Sequence, residues 1–361
     1  MKPSKKTVIF LFLLIASVLI HFYSRGEARV ENGYSTRFYP AFARLLRTGF
    51  GNIPFSIGDF IYGGFVGWLT WKMIRGVQWL KKKQYRLEKG WVRSFLMSLL
   101  IFCGWVYVLF NLFWGINYNR TGIAAQIGLR MEQYDQRDLR ELNGLLLEKV
   151  NTAKMALVAR PAPYPGRSAL FERVNRAYQT ASSAYPFLQY KPVSIKSSMW
   201  GWLGNYTGFT GYYNPFTGEA QVNTTVPAFL QPFITCHEVA HQLGYAKERE
   251  ANFVGYLASV ASADTLLHYS TYLDLFMYAN RNLYLADSAA AKTFRKALIP
   301  EVKKDLTEWI TFSRKHKNSI EPLISWVYDK YLQGNRQPQG VLRYDEVTAF
   351  LIAYYKKFGR I

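Results

Sequence analysis

From Ser94 to Ile116 the chain reads SFLMSLLIFCGWVYVLFNLFWGI without one charged residue. A helix needs about 20 apolar residues to cross a hydrocarbon core of about 30 Å. Lipid offers the backbone no hydrogen-bond partners, so a run of this kind has to be helical. The Trp and Tyr near its far end suit a membrane interface. Thr7 to Tyr23 (TVIFLFLLIASVLIHFY) is a second uncharged run, preceded by Lys2, Lys5 and Lys6. It reads as an uncleaved helix rather than a signal peptide, because Gly26-Glu27-Ala28 is a poor cleavage site. Between the two, residues 53–74 are apolar and Gly-rich but carry Asp59 and Lys72, compatible with a tilted span or a re-entrant piece. The expectation is a membrane anchor over residues 1–116 with about three transmembrane segments, 7–23, 53–74 and 94–116.

Lys plus Arg number 45 against 24 Asp plus Glu, a formal charge of +21. Such a balance suits an anionic membrane surface, acidic substrates or nucleic acid. Position decides between them. With three spans, ten basic residues fall on the side of the N-terminus and the Lys81-Lys82-Lys83 cluster, against seven on the other. The positive-inside rule then places that cluster in the cytoplasm and the chain after Asn117 outside it. The cluster reads as an anchor on anionic lipid head groups, so membrane lipid is an expected partner and nucleic acid is not. With 50% hydrophobic and 19% charged residues the chain is no disordered polymer. Its two cysteines, Cys103 and Cys236, build neither a disulfide framework nor a Cys-rich zinc module.

Residues 117–361 hold no uncharged run of membrane length and suffice for a core of their own. Apolar residues recur at helical spacing in Leu139 to Val158, Val302 to Phe312 and Val341 to Tyr355, and Ala169 to Ala184 reads as a further helix after the loop marked by Pro161, Pro163 and Pro165. Thr210 to Val222 differs, reading as two strands around an Asn-Pro...Gly turn. The fold class expected is α+β, a mainly helical domain with a small antiparallel sheet.

Directly after that hairpin comes Pro232-Phe-Ile-Thr-Cys-His237-Glu238-Val-Ala-His241-Gln-Leu-Gly244. Pro belongs near a helix start and Gly just past its end, so this is one short helix. Two histidines four apart share a face and can ligate one zinc ion, while the glutamate between them can reach a metal-activated water. A catalytic site also needs a third protein ligand. Gly244 lets the chain reverse, and Glu248 or Glu250 at the start of the next helix can supply a carboxylate. Glu248 is preferred, since it shares a face with Asn252, which can steady a ligand from behind. Glu250 continues into the apolar stripe of Val254 and Leu257. Cys236 reads as a small buried hydrophobe, and His21, His268 and His316 lack ligand spacing. No nucleophile elbow or phosphate-binding Gly loop is present.

The run His237 to His241 followed by Glu248-Arg-Glu-Ala-Asn252 resembles the gluzincin-like zinc peptidases, although the interval from His241 to Glu248 is shorter than usual there. With Pro54 to Asp59, Trp114 to Arg120 and Phe216 to Asn223, nearly the whole chain resembles a family of membrane-anchored bacterial proteins catalogued as a domain of unknown function. The resemblance implies a three-span anchor, a zincin-type domain and one zinc ion. In zincin-like peptidases the strand before the metal helix is commonly a sheet edge that pairs with substrate backbone. Glu219, Ala220, Gln221, Val222 and Asn223 occupy that place here.

The leading expectation is a zinc metallopeptidase tethered in the bacterial inner membrane, acting on a protein or peptide substrate outside the cytoplasm with Glu238 as general base. The alternative is a non-catalytic membrane protein whose zincin-like domain binds a partner or uses zinc structurally. An intramembrane protease fits less well, because Lys247, Glu248, Arg249 and Glu250 follow the motif too closely for lipid.

Overall fold

The computed structural model describes residues 4–81, 90–335 and 346–361. Lys82 and Lys83 of the basic cluster, and residues 341–345 of the last apolar stripe, lie outside the described residues. Among the described residues two helices are long and apolar enough to cross a membrane, α1 (Lys5–Ser24) and, once the intervening elements are counted, α5 (Trp91–Phe113). They pack side by side and run parallel. Lys6 donates to Ser94 and Ser98, Leu13 sits against Gly104, and Tyr34, beyond the end of α1, donates to the Leu112 carbonyl at 2.8 Å.

Between them lie α2 (Glu27–Arg29), a π-helical stretch Val30–Phe38, α3 (Tyr39–Phe50) and α4 (Ile57–Lys81). The middle apolar segment therefore forms one helix of 25 residues, about 37 Å long at 1.5 Å per residue. It starts later and runs further than residues 53–74. It is less apolar than α1 or α5 and does not reach their level on length and composition together. Its Phe65 ring stacks on Phe102 of α5 at 6.2 Å. Its first turn and the last turn of α5 meet the same hairpin, through Gly58 at Asn214 and through Phe113 at Phe216. Helix α4 thus runs opposite to α1 and α5. Asp59, the charge that interrupts the segment, points away from the apolar face. Its carboxylate accepts from the Met199 N–H at 2.6 Å, from Ser198 and from the Tyr212 hydroxyl.

The remaining helices are α6 (Ile123–Gln126), α7 (Gln136–Ala159), α8 (Arg167–Ala184), α9 (Gly201–Thr207), α10 (Gln231–Gln242), α11 (Glu248–Ala261), α12 (Thr265–Ala286), α13 (Ser288–Lys296), α14 (Pro300–His316), α15 (Glu321–Gly334) and α16 (Glu346–Phe358). Their core is rich in buried aromatics, among them Tyr178, Tyr190, Tyr256, Tyr269, Phe253 and Phe276. Helix α10 lies at its centre, against α8, α11, α12 and the sheet. It is buried nearly all round, the polar side chains Thr235, Glu238, His241 and Gln242 included.

The sheet corrects the expected antiparallel arrangement. Strands β1 (Ile195–Ser197), β2 (Gly211–Asn214) and β3 (Glu219–Val222) are ordered β1-β3-β2. The expected hairpin is present as β2 and β3, but β1 adds in parallel on the far side of β3, pairing Ile195 with Ala220 and Ser197 with Val222. The sheet is mixed and β3 is its centre.

Candidate metal centre

Helix α10 carries Pro232 in its first turn and ends before Gly244, whose φ of +89° is a left-handed conformation that costs glycine little. One helical turn apart, His237 and His241 bring their ring centroids to 4.6 Å. The reversal at Gly244 returns the chain so that Glu248, the first residue of α11, faces both rings. Its carboxylate lies 3.2 Å from His237 Nε2 and 3.7 Å from His241 Nε2. One ligand atom from each of the three side chains falls within 4.8 Å of the others. Zinc bonds of about 2.0–2.2 Å in tetrahedral geometry put neighbouring ligand atoms roughly 3.4 Å apart, so the three donors fit one ion.

The backs of the rings fix their tautomers. His241 Nδ1 is 2.8 Å from the Tyr245 carbonyl, which only accepts, so the proton is on Nδ1 and the Nε2 lone pair faces the centre. His237 Nδ1 meets Asn252 Oδ1 at 2.7 Å in the same way. Burial alone would raise the Glu248 carboxyl, but when the rings are protonated and no cation stands between them the charge and hydrogen bonds of the two histidines hold it well below the usual carboxylate range. Glu250, the alternative third ligand, goes elsewhere. It faces Gly122 and lies 3.7 Å from Lys247 Nζ, on the side of Arg120.

Glu238 is 3% exposed and its Oε2 has no hydrogen-bond partner. Burial pushes its carboxyl up to about 8, with Glu248 adding to the effect and His237 opposing it. A cation at the centre would draw it back down. Gly211 of β2 stands directly against this carboxylate, where a Cβ would overlap it. The edge strand therefore approaches the acid closely only because it has no side chain there.

Two cavities of about 320 and 370 Å³ open on either side of the centre and share Gly208, Thr210, His237 and Glu248. The first is walled by Trp114, Tyr118 and, from α15, Tyr328 and Tyr331. The second is walled by Asp274, Met277, Tyr278 and Arg281 of α12 and Trp309 of α14. Burial raises the Asp274 carboxyl to about 7, with His237 opposing. Tyr328 donates to Glu248 Oε1 at 2.9 Å. Sequence reasoning did not single out Tyr328, and nothing within α15 marks it, since it meets Glu248 only through the fold.

The segment Glu219 to Asn223 does not line the cleft as an edge. The Glu219 carboxylate accepts from the Ile57 and Gly58 N–H groups at 3.1 and 2.7 Å and from Thr217, and so compensates the open amides that begin α4. Gln221 donates to Ser56 and Glu219, Asn223 donates to the Gly201 carbonyl at 2.9 Å, and Ala220 and Val222 are core. The strand that borders the cleft is β2, through Gly211, Tyr212 and Tyr213. Among the described residues, one edge of β2 carries no strand.

The carbonyls that end α10 are satisfied from an unexpected direction. Trp114 Nε1 donates to His241 O at 3.3 Å, Tyr39 and Arg47 to Gln242 O at 3.0 and 3.4 Å, and Arg120 to Gly244 O at 3.2 Å. Two guanidinium groups at a helix C-terminus also suit its dipole. Arg120 is in turn held by Glu31 in a two-pronged pair at 2.7 and 3.0 Å and lies over the Tyr245 ring. Burial would raise Glu31, but Arg120 keeps it below its ordinary value. Most of these caps come from the part of the chain assigned by sequence to the anchor. Residues 30–59 are thus built into the body that holds the centre.

The family described as protein of unknown function DUF3810 matches residues 34–352. The chain belongs to the DUF3810 family. The matched region takes in the three converging side chains, Glu238 and every α10 cap named above. No curated protein and no solved structure matches the chain.

Proposed function

We propose that this DUF3810 protein is a membrane-anchored zinc metallopeptidase with one catalytic ion. The observation that carries the reading is the convergence of His237 Nε2, His241 Nε2 and the Glu248 carboxylate beside the buried, unpartnered Glu238. A purely structural zinc has a closed fourth position and no use for such an acid. Here the donors face an open cleft that extends to both sides, as a bound polypeptide requires.

Held by His237, His241 and Glu248, zinc would supply Lewis-acid polarisation of a peptide carbonyl and a water acidic enough to react near neutral pH. Glu238 takes the proton from the attacking water and returns it to the leaving amine. Asn252 and the Tyr245 carbonyl keep the imidazoles aimed, and Tyr328 keeps the Glu248 carboxylate from turning away. The free edge of β2, not β3, is the strand on which substrate backbone would pair.

The anchor reading has its own support. Because α1 and α5 run parallel, a chain that crosses the membrane in both must return between them, and α4 is the helix that runs back. The centre then lies on the side opposite the N-terminus, which the basic-residue count puts outside the cytoplasm of a bacterial inner membrane. The test of the activity is hydrolysis of a fluorogenic peptide library by the detergent-solubilised full chain. Activity should be lost on chelation and regained with zinc, and a zinc-loaded chain that cleaves nothing would contradict the reading.

A further inference from the structure

The loop and short helix before β2 carry an apolar patch beside the metal cleft. Met199, Trp200, Trp202, Leu203, Tyr206 and Phe209 are each at least 38% exposed. Contiguous apolar patches on water-facing surfaces mark sites of interaction, and Trp and Tyr in particular favour the membrane interface. The patch is fixed to the start of α4. Trp200 Nε1 donates to the Asp59 carbonyl at 3.2 Å, and the Asp59 carboxylate accepts from the Met199 N–H.

Between this patch and α4 lies a cavity of about 450 Å³, walled by Tyr62, Gly63 and Val66 on one side and Leu203, Phe209 and Tyr212 on the other. None of the residues around it is charged. Its α4 wall belongs to the first turns of a helix whose apolar side chains remain exposed further along, as Val66, Leu69 and Met73 do. The cavity is thus continuous with the surface read above as facing lipid. Its other wall is shared with the metal cleft, since Thr207, Phe209, Gly211 and Tyr212 border both. A helix with its side chains is about 10 Å across and too wide for such a space. A charged ligand would find no counter-charge. An unbranched hydrocarbon chain meets both constraints.

From this we infer that the cavity holds an acyl chain carried by the substrate, so that the polypeptides presented to the centre are lipid-modified. The acyl chain enters from the bilayer between α4 and α9, and the attached backbone then lies along β2 towards Glu238. The substrate part of this inference rests on the peptidase reading. The occupancy of the cavity does not.

The experiment uses the full-length Glu238→Gln chain in vesicles of phosphatidylethanolamine and phosphatidylglycerol. The probe is a peptide whose N-terminal palmitoyl group bears a diazirine. After irradiation, mass spectrometry should place the label on Val66, Leu203 and Phe209 several-fold above α1 and α5. Val66→Trp and Leu203→Trp, which fill the cavity from opposite walls, should each remove that excess while zinc content and thermal unfolding stay normal. Excess palmitoylated peptide should displace the probe, and the unacylated peptide should not. Label spread over all the apolar helices alike, or displacement by added phospholipid as readily as by acylated peptide, would overturn the inference. A labelled cavity in a protein whose wild type hydrolyses no peptide overturns the peptidase reading and the substrate part with it, and leaves the occupancy of the cavity standing. An unlabelled cavity in an active protein overturns the acyl site alone.

Discussion

The indole N–H of Trp114 donates to the backbone carbonyl of His241 at 3.3 Å, joining the residue that follows α5 to one of the three side chains of the candidate metal centre. The same ring also meets the His241 imidazole edge to face at 5.9 Å. Trp114→Phe keeps most of the ring contact but removes the indole donor, leaving the carbonyl with the Gly244 N–H at 2.9 Å, a loss of about 1 kcal/mol or less. Thermal unfolding in detergent should show a lower midpoint, whereas Trp105→Phe, at an exposed position of α5, should show none. Equal midpoints for the two variants would mean that the bond carries no stability.

The two glutamates of α11 separate by zinc content. Glu248→Ala removes a donor and should abolish tight binding, while Glu250→Ala should leave most of it. Asn252→Ala frees the His237 ring without touching a donor atom, and should weaken zinc binding by about 10–100-fold. Competition with a chromophoric chelator measures all three, and a stronger effect at Glu250 than at Glu248 would reassign the third ligand.

The Glu31 to Arg120 pair sets an acid limit on the fold. Glu31 is held below its ordinary value of 4.5, so the folded state binds its proton less readily than the unfolded chain does. Its contribution is complete above that ordinary value and disappears as pH falls through the lower, folded one. Glu31→Gln should flatten this part of the stability profile. Arg120→Met leaves a buried carboxylate unpaired and should cost about 3–5 kcal/mol near neutral pH. Denaturant unfolding between pH 3 and 7, at about unit steps, checks both, and a Glu31→Gln profile as steep as wild type would refute the assignment.

The direction of α4 makes a topological prediction. Alkaline phosphatase fused after Arg130 should be active and a cytoplasmic reporter at the same point silent. The opposite pattern would mean that α4 does not return across the membrane, or that the orientation is reversed.

What the sequence made legible was local. Pro232, Gly244 and the four-residue histidine spacing define α10 within a dozen positions, and the shared face of Glu248 and Asn252 distinguishes Glu248 from Glu250. The position of β3 was not legible, because its second partner is three residues, Ile195–Ser197, that pair in parallel with no turn to announce them. Nor were the caps on α10, which are supplied from Tyr39, Arg47, Trp114 and Arg120 over long stretches of chain. Asp59 reads in sequence as a charge interrupting a span. In the fold its partners are Ser198, Met199 and Tyr212, which no helical pattern could have indicated.

The central claim, that Glu238 moves the proton in a zinc-dependent hydrolysis, is tested most directly by Glu238→Gln. The amide keeps the size and shape of the side chain against Gly211 but cannot accept the proton. Zinc content and peptide turnover should be measured on the same purified sample beside wild type. The account predicts full zinc occupancy and turnover lower by about 10²-fold or more. Near-normal turnover by the zinc-loaded variant would contradict it.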